Sequence, residues 1–195
     1  MNIAEKNSSF CELTGLYWAW QNGIFKNVGL VHYRRYFAGK KLCLKKQHIA
    51  SESELLSLLE KYDAILPKKR NYYIESIYSH YQHAHYVKDL NCTREIISEL
   101  YPEYITSFDA IMQGRKIHIY NMFVMSSENS SEYCQWLFPI LFELEKRIDI
   151  TQYDNYQKRV FGFIAERLFN VWLVHHQLKS VSYTHLRAHE TTLHL

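Results

Sequence analysis

Glycine and proline are scarce in this 195-residue chain, at 6 and 3, and they do not gather with serine into a linker. A chain of this length with no flexible seam and no internal repeat reads as one compact domain. Its 4 cysteines, Cys11, Cys43, Cys92 and Cys134, stand far apart with no Cys-x-x-Cys pair. That spacing excludes a zinc ribbon and a disulfide scaffold, and it reads as reduced thiols in a cytoplasmic setting. Strong charge of one sign is also absent: 23 Lys and Arg against 20 Asp and Glu leave a net +3, which does not suit bulk nucleic-acid binding. There is no apolar run long enough to cross a bilayer and no signal-peptide pattern. Apolar and aromatic residues are abundant, at 47% and 15%, enough for one sizeable core and too many for a disordered chain.

The most telling stretch is GIFKNVGLVHYRRYF, residues 23 to 37. An aromatic-rich helix from Glu12 to Trp20 stops at a turn at Asn22 and Gly23, and Val28 to Val31 then reads as a buried strand. His32, Tyr33, Arg34, Arg35 and Tyr36 would emerge at its carboxyl end, where open α/β sheets bind ligands. Arginine forks there suit an anion; the alternative is a cationic strand end facing water. A basic connector, Lys40 to Lys46, leads to a capping box of Ser51 with Glu54 that opens a helix running to Lys61. Tyr62 to Leu66 is predicted as a strand closed by Pro67, and Lys68 to Tyr72 again places cations and aromatics at a strand exit. Helices are predicted over Glu75 to Asp89, over Thr93 to Phe108 with a break at Pro102, over Ser130 to Ile148 and over Lys158 to Gln177. Lys116 to Met125 is predicted as a strong strand, so the order is α/β with the makings of a mixed sheet.

Three polar groups stand out against these elements. Asn121 falls mid-strand, where β propensity disfavours it; a buried Asn must be hydrogen-bonded, either to a ligand or to a neighbouring backbone. His80, His83, His85 and Asp89 share one predicted helix, with His85 and Asp89 four apart on one face. The spacing is not His-Glu-x-x-His and lacks further ligands, leaving a His oriented by Asp89 toward a hydroxyl or phosphate, or a solvated face. Glu166 sits among Phe161, Phe163, Ile164, Leu168 and Phe169, which invites a raised pKa and a base role; the alternative is an ion pair with a nearby Lys or Arg.

These stretches resemble the bacterial capsular and exopolysaccharide glycosyltransferases long filed as a domain of unknown function. The likeness rests on Asn2, Ile3, Glu5, Lys6, Asn7, Cys11 to Thr14, Leu16 to Trp20 and Asn22, followed by Gly29, Leu30 and His32 to Phe37. It continues through residues 62–72, 83–90, 119–126 and 162–173. The resemblance implies a GT-A-like, Rossmann-related fold, a mixed sheet flanked by helices, and incomplete at its N-terminus, because family members carry several dozen residues ahead of the first motif. Residues 1–180 would then form a partial glycosyltransferase domain. Residues 181–195 are expected to be a non-native tail, since VSYTHLRAHET matches a translated transposase-type sequencing adapter without a mismatch; its His185, His189 and His194 are left out of any metal-site reading.

The resemblance further implies transfer of a sugar from a nucleotide-sugar donor to a saccharide or lipid-linked saccharide acceptor in capsule or exopolysaccharide synthesis, in the cytoplasm or at the inner face of the membrane, as a peripheral protein, with no nucleic-acid partner. Glu166 would be the catalytic base of an inverting displacement. No Asp-x-Asp motif occurs, so His32, Arg34 and Arg35 would clamp the donor diphosphate without a metal or other cofactor; manganese or magnesium is the alternative. Tyr33, Tyr36, Asn121, His85 and Asp89 would contact sugar or acceptor, with Tyr72 and Trp18 as stacking surfaces or core. Two other readings stand beside this one, a non-catalytic saccharide-binding module and an inactive fragment.

Overall fold

The computed structural model describes residues 2–32, 34–39 and 49–183, and the backbone alone of 185–187. Tyr33, the basic connector Lys40 to Lys46, His189 and His194 lie outside the described residues. The chain runs α1 (Asn7–Phe10), α2 (Leu13–Asn22), β1 (Asn27–Leu30), β2 (Arg35–Phe37), α3 (Glu52–Leu59), β3 (Ala64–Pro67), β4 (Arg70–Asn71), α4 (Ile77–Ala84), α5 (Val87–Leu100) and α6 (Ile105–Gln113). It continues through β5 (Lys116–Ile117), β6 (Phe123–Ser126), α7 (Ser127–Arg147), α8 (Val160–His175), β7 (Ser180–Tyr183) and β8 (His185–Arg187).

A four-stranded sheet of order β1-β6-β3-β7 lies at the centre. Its β1/β6 and β6/β3 pairs are antiparallel and its β3/β7 pair is parallel, so the sheet is mixed, as expected. Strand alternation splits its side chains between two apolar layers. Ala64, Leu66, Phe123 and Met125 enter the main core with α2 and α4 to α8. Ile65 and Val124 enter a smaller cluster with Phe37 and Met122, against which Leu55, Leu58 and Leu59 of α3 pack. All four residues of β3 are buried, the signature of a strand covered on both faces. Among the described residues no helix is long and apolar enough to cross a membrane.

The capping box forms as read: Ser51 Oγ accepts the Glu54 N–H at 3.3 Å, and the Glu54 carboxylate accepts the Ser51 N–H at 2.9 Å. Two elements differ from expectation. The helix predicted over Glu75 to Asp89 is broken at His85, whose backbone is extended (φ −142°, ψ 177°), so α5 starts afresh at Val87. The strand predicted over Lys116 to Met125 is cut by a turn at Tyr120 and Asn121, both with positive φ. Ser180–Tyr183, placed mostly in the tail, pairs as an edge strand beside β3, with Val181 and Tyr183 packed on the smaller cluster. An edge strand needs only backbone donors and acceptors and an apolar side chain at alternate positions, and Val181 and Tyr183 supply them.

His118, just after β5, is 4% exposed, and its Nδ1–H donates to the Pro67 carbonyl at 2.6 Å. Burial pushes its pKa down to about 4, with Lys69 adding to the fall and the Pro67 bond opposing it. The folded state therefore resists the proton that the unfolded chain takes up near its ordinary pKa. The stability of the neutral imidazole is whole above about pH 6.5 and is lost as pH falls toward about 4. Urea unfolding should lose on the order of 3 kcal/mol across that window through this residue. His118→Asn, which keeps a donor for Pro67, should remove that share of the slope and leave the share carried by His85, whose pKa burial also pushes down to about 4.

Candidate active site

Tyr120 (φ 76°) and Asn121 (φ 50°) form a left-handed turn between β5 and β6. Each costs an L-residue roughly 1–2 kcal/mol, and for a bulky residue such as Tyr120 the conformation is a true outlier. Side chains from two helices hold it. Glu166 of α8 accepts the Tyr120 N–H at 2.8 Å through Oε1. Asn170, one turn on, accepts the His118 N–H at 2.9 Å and donates to the His118 carbonyl at 2.8 Å. Asn121 Nδ2 donates to Glu12 Oε1 at 2.8 Å and to the Gly162 carbonyl at 3.2 Å, and its Oδ1 is buried without a partner. Two carboxylates far apart in sequence thus meet at one strained turn.

Their electrostatics differ. Burial lifts the Glu166 carboxyl above the usual carboxylate range and the Glu12 carboxylate adds to the lift, against the Arg167 guanidinium and the Tyr120 N–H. Glu166 Oε2 pairs with Arg167 Nη1 at 2.9 Å, so both of its oxygens are engaged. The ion pair weighed from sequence exists, with its nearest neighbour in the chain. Glu12, half-buried, has one oxygen bonded to Asn121 and, among the described residues, no hydrogen-bond partner on the other. Arg159 stands beside it, its Nε donating to Cys11 Sγ at 3.3 Å and its guanidinium 5.6 Å from the Phe163 ring.

Cations and rings converge on the same turn. The Arg35 guanidinium lies 3.9 Å from the Tyr120 ring centroid, and its Nε and Nη1 are shielded from solvent with no hydrogen-bond partner. The His32 ring is 6.3 Å from that of Tyr120. Burial lowers the His32 pKa, as do Arg35, Arg159 and Arg34, while Glu12 opposes. From the other loop Tyr72 stacks on His80 at 3.9 Å, and Arg70 lies 5.2 Å from the Tyr72 ring. Burial raises the Tyr72 pKa, with Arg167, Arg70, Glu166 and Tyr120 all close enough to act on it. Tyr120 thus stands near groups from both cation-bearing loops.

Other site expectations are rearranged. Arg34 is exposed, its N–H 3.3 Å from His32 Nδ1. Tyr36, next to Arg35 on β2, lines an apolar groove of about 600 Å³ with Phe37, Leu55 and Val124. Trp18 is 51% exposed on α2. His85 and Asp89 do not share a helix face, because the chain is extended at His85. His85 stacks on Phe163 at 4.1 Å beside Tyr156, bonds Gln157 at 3.1 Å and is held neutral, burial pushing its pKa down to about 4. Asp89 instead accepts the Tyr153 hydroxyl at 3.0 and 3.1 Å within the core. Among the described residues no group of three or more His, Cys, Asp or Glu is arranged to hold a metal.

Sequence reasoning missed Glu12, Tyr120 and Arg159 as site residues. A Glu at a helix start reads as a favourable dipole contact, and its 109-residue separation from Asn121 leaves no local signal. Asn121→Ala should cost roughly 2–4 kcal/mol in urea unfolding, from left-handed strain plus the lost bond to a carboxylate. Asn121→Gly should cost about 1 kcal/mol less, since it relieves only the strain.

The described geometry has a close counterpart. The WbbM bifunctional glycosyltransferase apo structure superposes with a TM-score of 0.88 at 32% identity, covering 97% of this chain. This chain spans 38% of that one. No curated protein matches. The family described as Domain of unknown function (DUF4422) matches residues 1–177, ending ahead of Val181. With nearly the whole chain from the first motif to the end of α8 inside that match, the protein belongs to the DUF4422 family.

Proposed function

We propose that this protein transfers a sugar from a nucleotide-sugar donor to a saccharide or lipid-linked saccharide acceptor, in capsule or exopolysaccharide synthesis at the inner face of the cytoplasmic membrane. The observation that carries the reading is the Arg35 guanidinium, shielded over Tyr120 with two unpaired donors. Guanidinium donors of a half-buried arginine that are shielded without a partner are costly, and a diphosphate would supply the missing acceptors bidentately. The 32% identity to a bifunctional glycosyltransferase across 97% of this chain points the same way.

In this mechanism the acceptor hydroxyl gives its proton to Glu166 and its oxygen attacks the anomeric carbon, inverting it. The bond from that carbon to the donor diphosphate breaks, and the leaving group takes the electron pair. Arg35, with Arg34 and His32, stabilises the charge on the departing diphosphate, which replaces the role of a metal. Asn121 contacts the sugar through its unpartnered Oδ1, and the neutral His85 with Phe163 and Tyr156 offers the acceptor a stacking wall. A second reading gives the proton to Glu12, because Glu166 already has both oxygens engaged and Glu12 has one open.

Transfer assays with Glu166→Gln and Glu12→Gln separate these readings. The variant that removes the base should lose about 10²- to 10⁴-fold in turnover with little change in donor affinity. If Glu166 is the base, wild-type activity should fall as pH drops through a pKa above the usual carboxylate range. Glu12→Gln should then move that acid limb to lower pH, since the Glu12 carboxylate contributes to the lift. Near-normal turnover by both variants would remove the carboxylate pair from the mechanism.

Transfer should persist in excess chelator. Arg35→Lys should impair it nearly as much as Arg35→Ala, because a point charge lacks the planar fork. Strict dependence on added manganese or magnesium would overturn the metal-independent clamp.

A further inference from the structure

The link from β4 to α4 carries two large apolar side chains into water, Tyr73 at 75% and Ile74 at 89% exposed. They are held there. Tyr73 is in the left-handed region (φ 57°), an outlier for an aromatic residue. Asn71 Oδ1 accepts the Tyr73 N–H at 3.0 Å, Arg115 Nη1 donates to the Tyr73 carbonyl at 3.1 Å, and the Ile74 N–H donates to the Tyr72 carbonyl at 2.6 Å. Strain of this kind persists where the surroundings over-determine it, and it gathers at sites that meet a ligand or partner. Cations frame the tip. Lys68, Lys69 and Arg70 lead into it, and Arg115 and Lys116 arrive with β5, which pairs antiparallel with β4; all five are exposed. Across residues 68–75 and 114–117 the one carboxylate is Glu75, and it lies 2.8 Å from His83 Nδ1. Behind the tip, Tyr72 belongs to the candidate active site, stacked on His80 with Arg167, Glu166 and Tyr120 close by.

An apolar tip fixed in water and five cations around it have to be answered together. A nucleotide or other small polyanion would engage the cations and leave Ile74 in water. An apolar protein groove would take Ile74 and leave the charges unanswered. An anionic bilayer meets both demands: a tyrosine ring favours the headgroup level, an aliphatic side chain is stabilised at the acyl boundary, and the negative surface potential attracts each nearby Lys or Arg. Neither signal anchors a protein alone, and the two together give reversible, salt-sensitive attachment. We propose that Tyr73 and Ile74, with the five cations that flank them, dock the protein on an anionic phospholipid bilayer. Docking by this tip brings Tyr72 and the site behind it to the lipid surface, where a lipid-linked acceptor presents its saccharide. The use of such an acceptor rests on the transferase reading; the docking itself does not.

Vesicle co-sedimentation of the whole chain tests this, with phosphatidylglycerol and phosphatidylcholine mixed at about 1:1 against phosphatidylcholine alone. The protein should pellet with the anionic vesicles and stay in solution with the neutral ones, and about 0.5 M sodium chloride should release it. Lys68→Gln with Lys69→Gln should weaken the partition by about tenfold or more. Tyr73→Asn with Ile74→Ser should weaken it on the order of tenfold, and the melting midpoint should not fall, because Asn accepts the left-handed backbone. The lysine pair carries the test should the tip pair fail to fold. In transfer assays the tip pair should raise KM for a lipid-linked acceptor held in the vesicles and leave transfer to the same saccharide free in solution unchanged. No pelleting with anionic vesicles, equal pelleting with neutral ones, or full binding by either folded double variant would overturn the proposal; the first result would leave the tip to an acidic protein partner. Vesicle docking by a protein that transfers nothing would keep the docking surface and remove the transferase reading.

Discussion

The turn at Tyr120 and Asn121 is the constraint on which the site depends. Two successive left-handed residues, neither a glycine, store strain of about 1–3 kcal/mol each and persist only where their surroundings over-determine them. The surroundings here are one face of α8 and the start of α2. Glu166 and Asn170 lie one helical turn apart, so a single face of α8 grips the backbone of both His118 and Tyr120. Asn121 then reaches across to Glu12 and ties α2 into the same network. Without that grip β5 would run on toward β6, and the Tyr120 ring would not be presented to Arg35 and His32.

Charge is satisfied unevenly around the turn. Arg167, almost fully buried, has Glu166 and the Phe163 carbonyl as partners, as a buried guanidinium requires. Arg35 has an aromatic face and, among the described residues, no carboxylate partner. The difference separates a cation that holds the fold from one that is left available. Glu166 is similarly divided: its raised pKa suits proton transfer, while its engagement by Tyr120 and Arg167 suits an anchor. A carboxylate oxygen has more than one acceptor site, so the two roles are compatible.

Legibility followed the range of the interactions. The Ser51 and Glu54 capping box was readable because both bonds close within four residues. The aromatic helix, the turn at Asn22 and the buried β3 run were readable for the same reason. Asn121 was correctly singled out as anomalous, though as a mid-strand residue; a side chain that tolerates positive φ was placed there by the turn itself. His85 and Asp89 were misgrouped because a spacing of four implies a shared face only while the helix is unbroken, and the extended backbone at His85 breaks it. Arg35 and Tyr36 were grouped as neighbours in sequence, yet Arg35 lies over the Tyr120 ring while Tyr36 lines the apolar groove.

The sequence by itself determined the class of fold, the order of its elements, the cation-rich strand exits and the family likeness, because these are written in local periodicity, capping and contiguous motifs. Only the tertiary structure decided which polar groups share a site. Glu12 meets Asn121 across 109 positions and Cys11 meets Arg159 across 148, and no local propensity encodes such pairs. They follow from where α8 packs against α1 and the Cys11–Glu12 link that follows it, and that packing is settled by the whole apolar core.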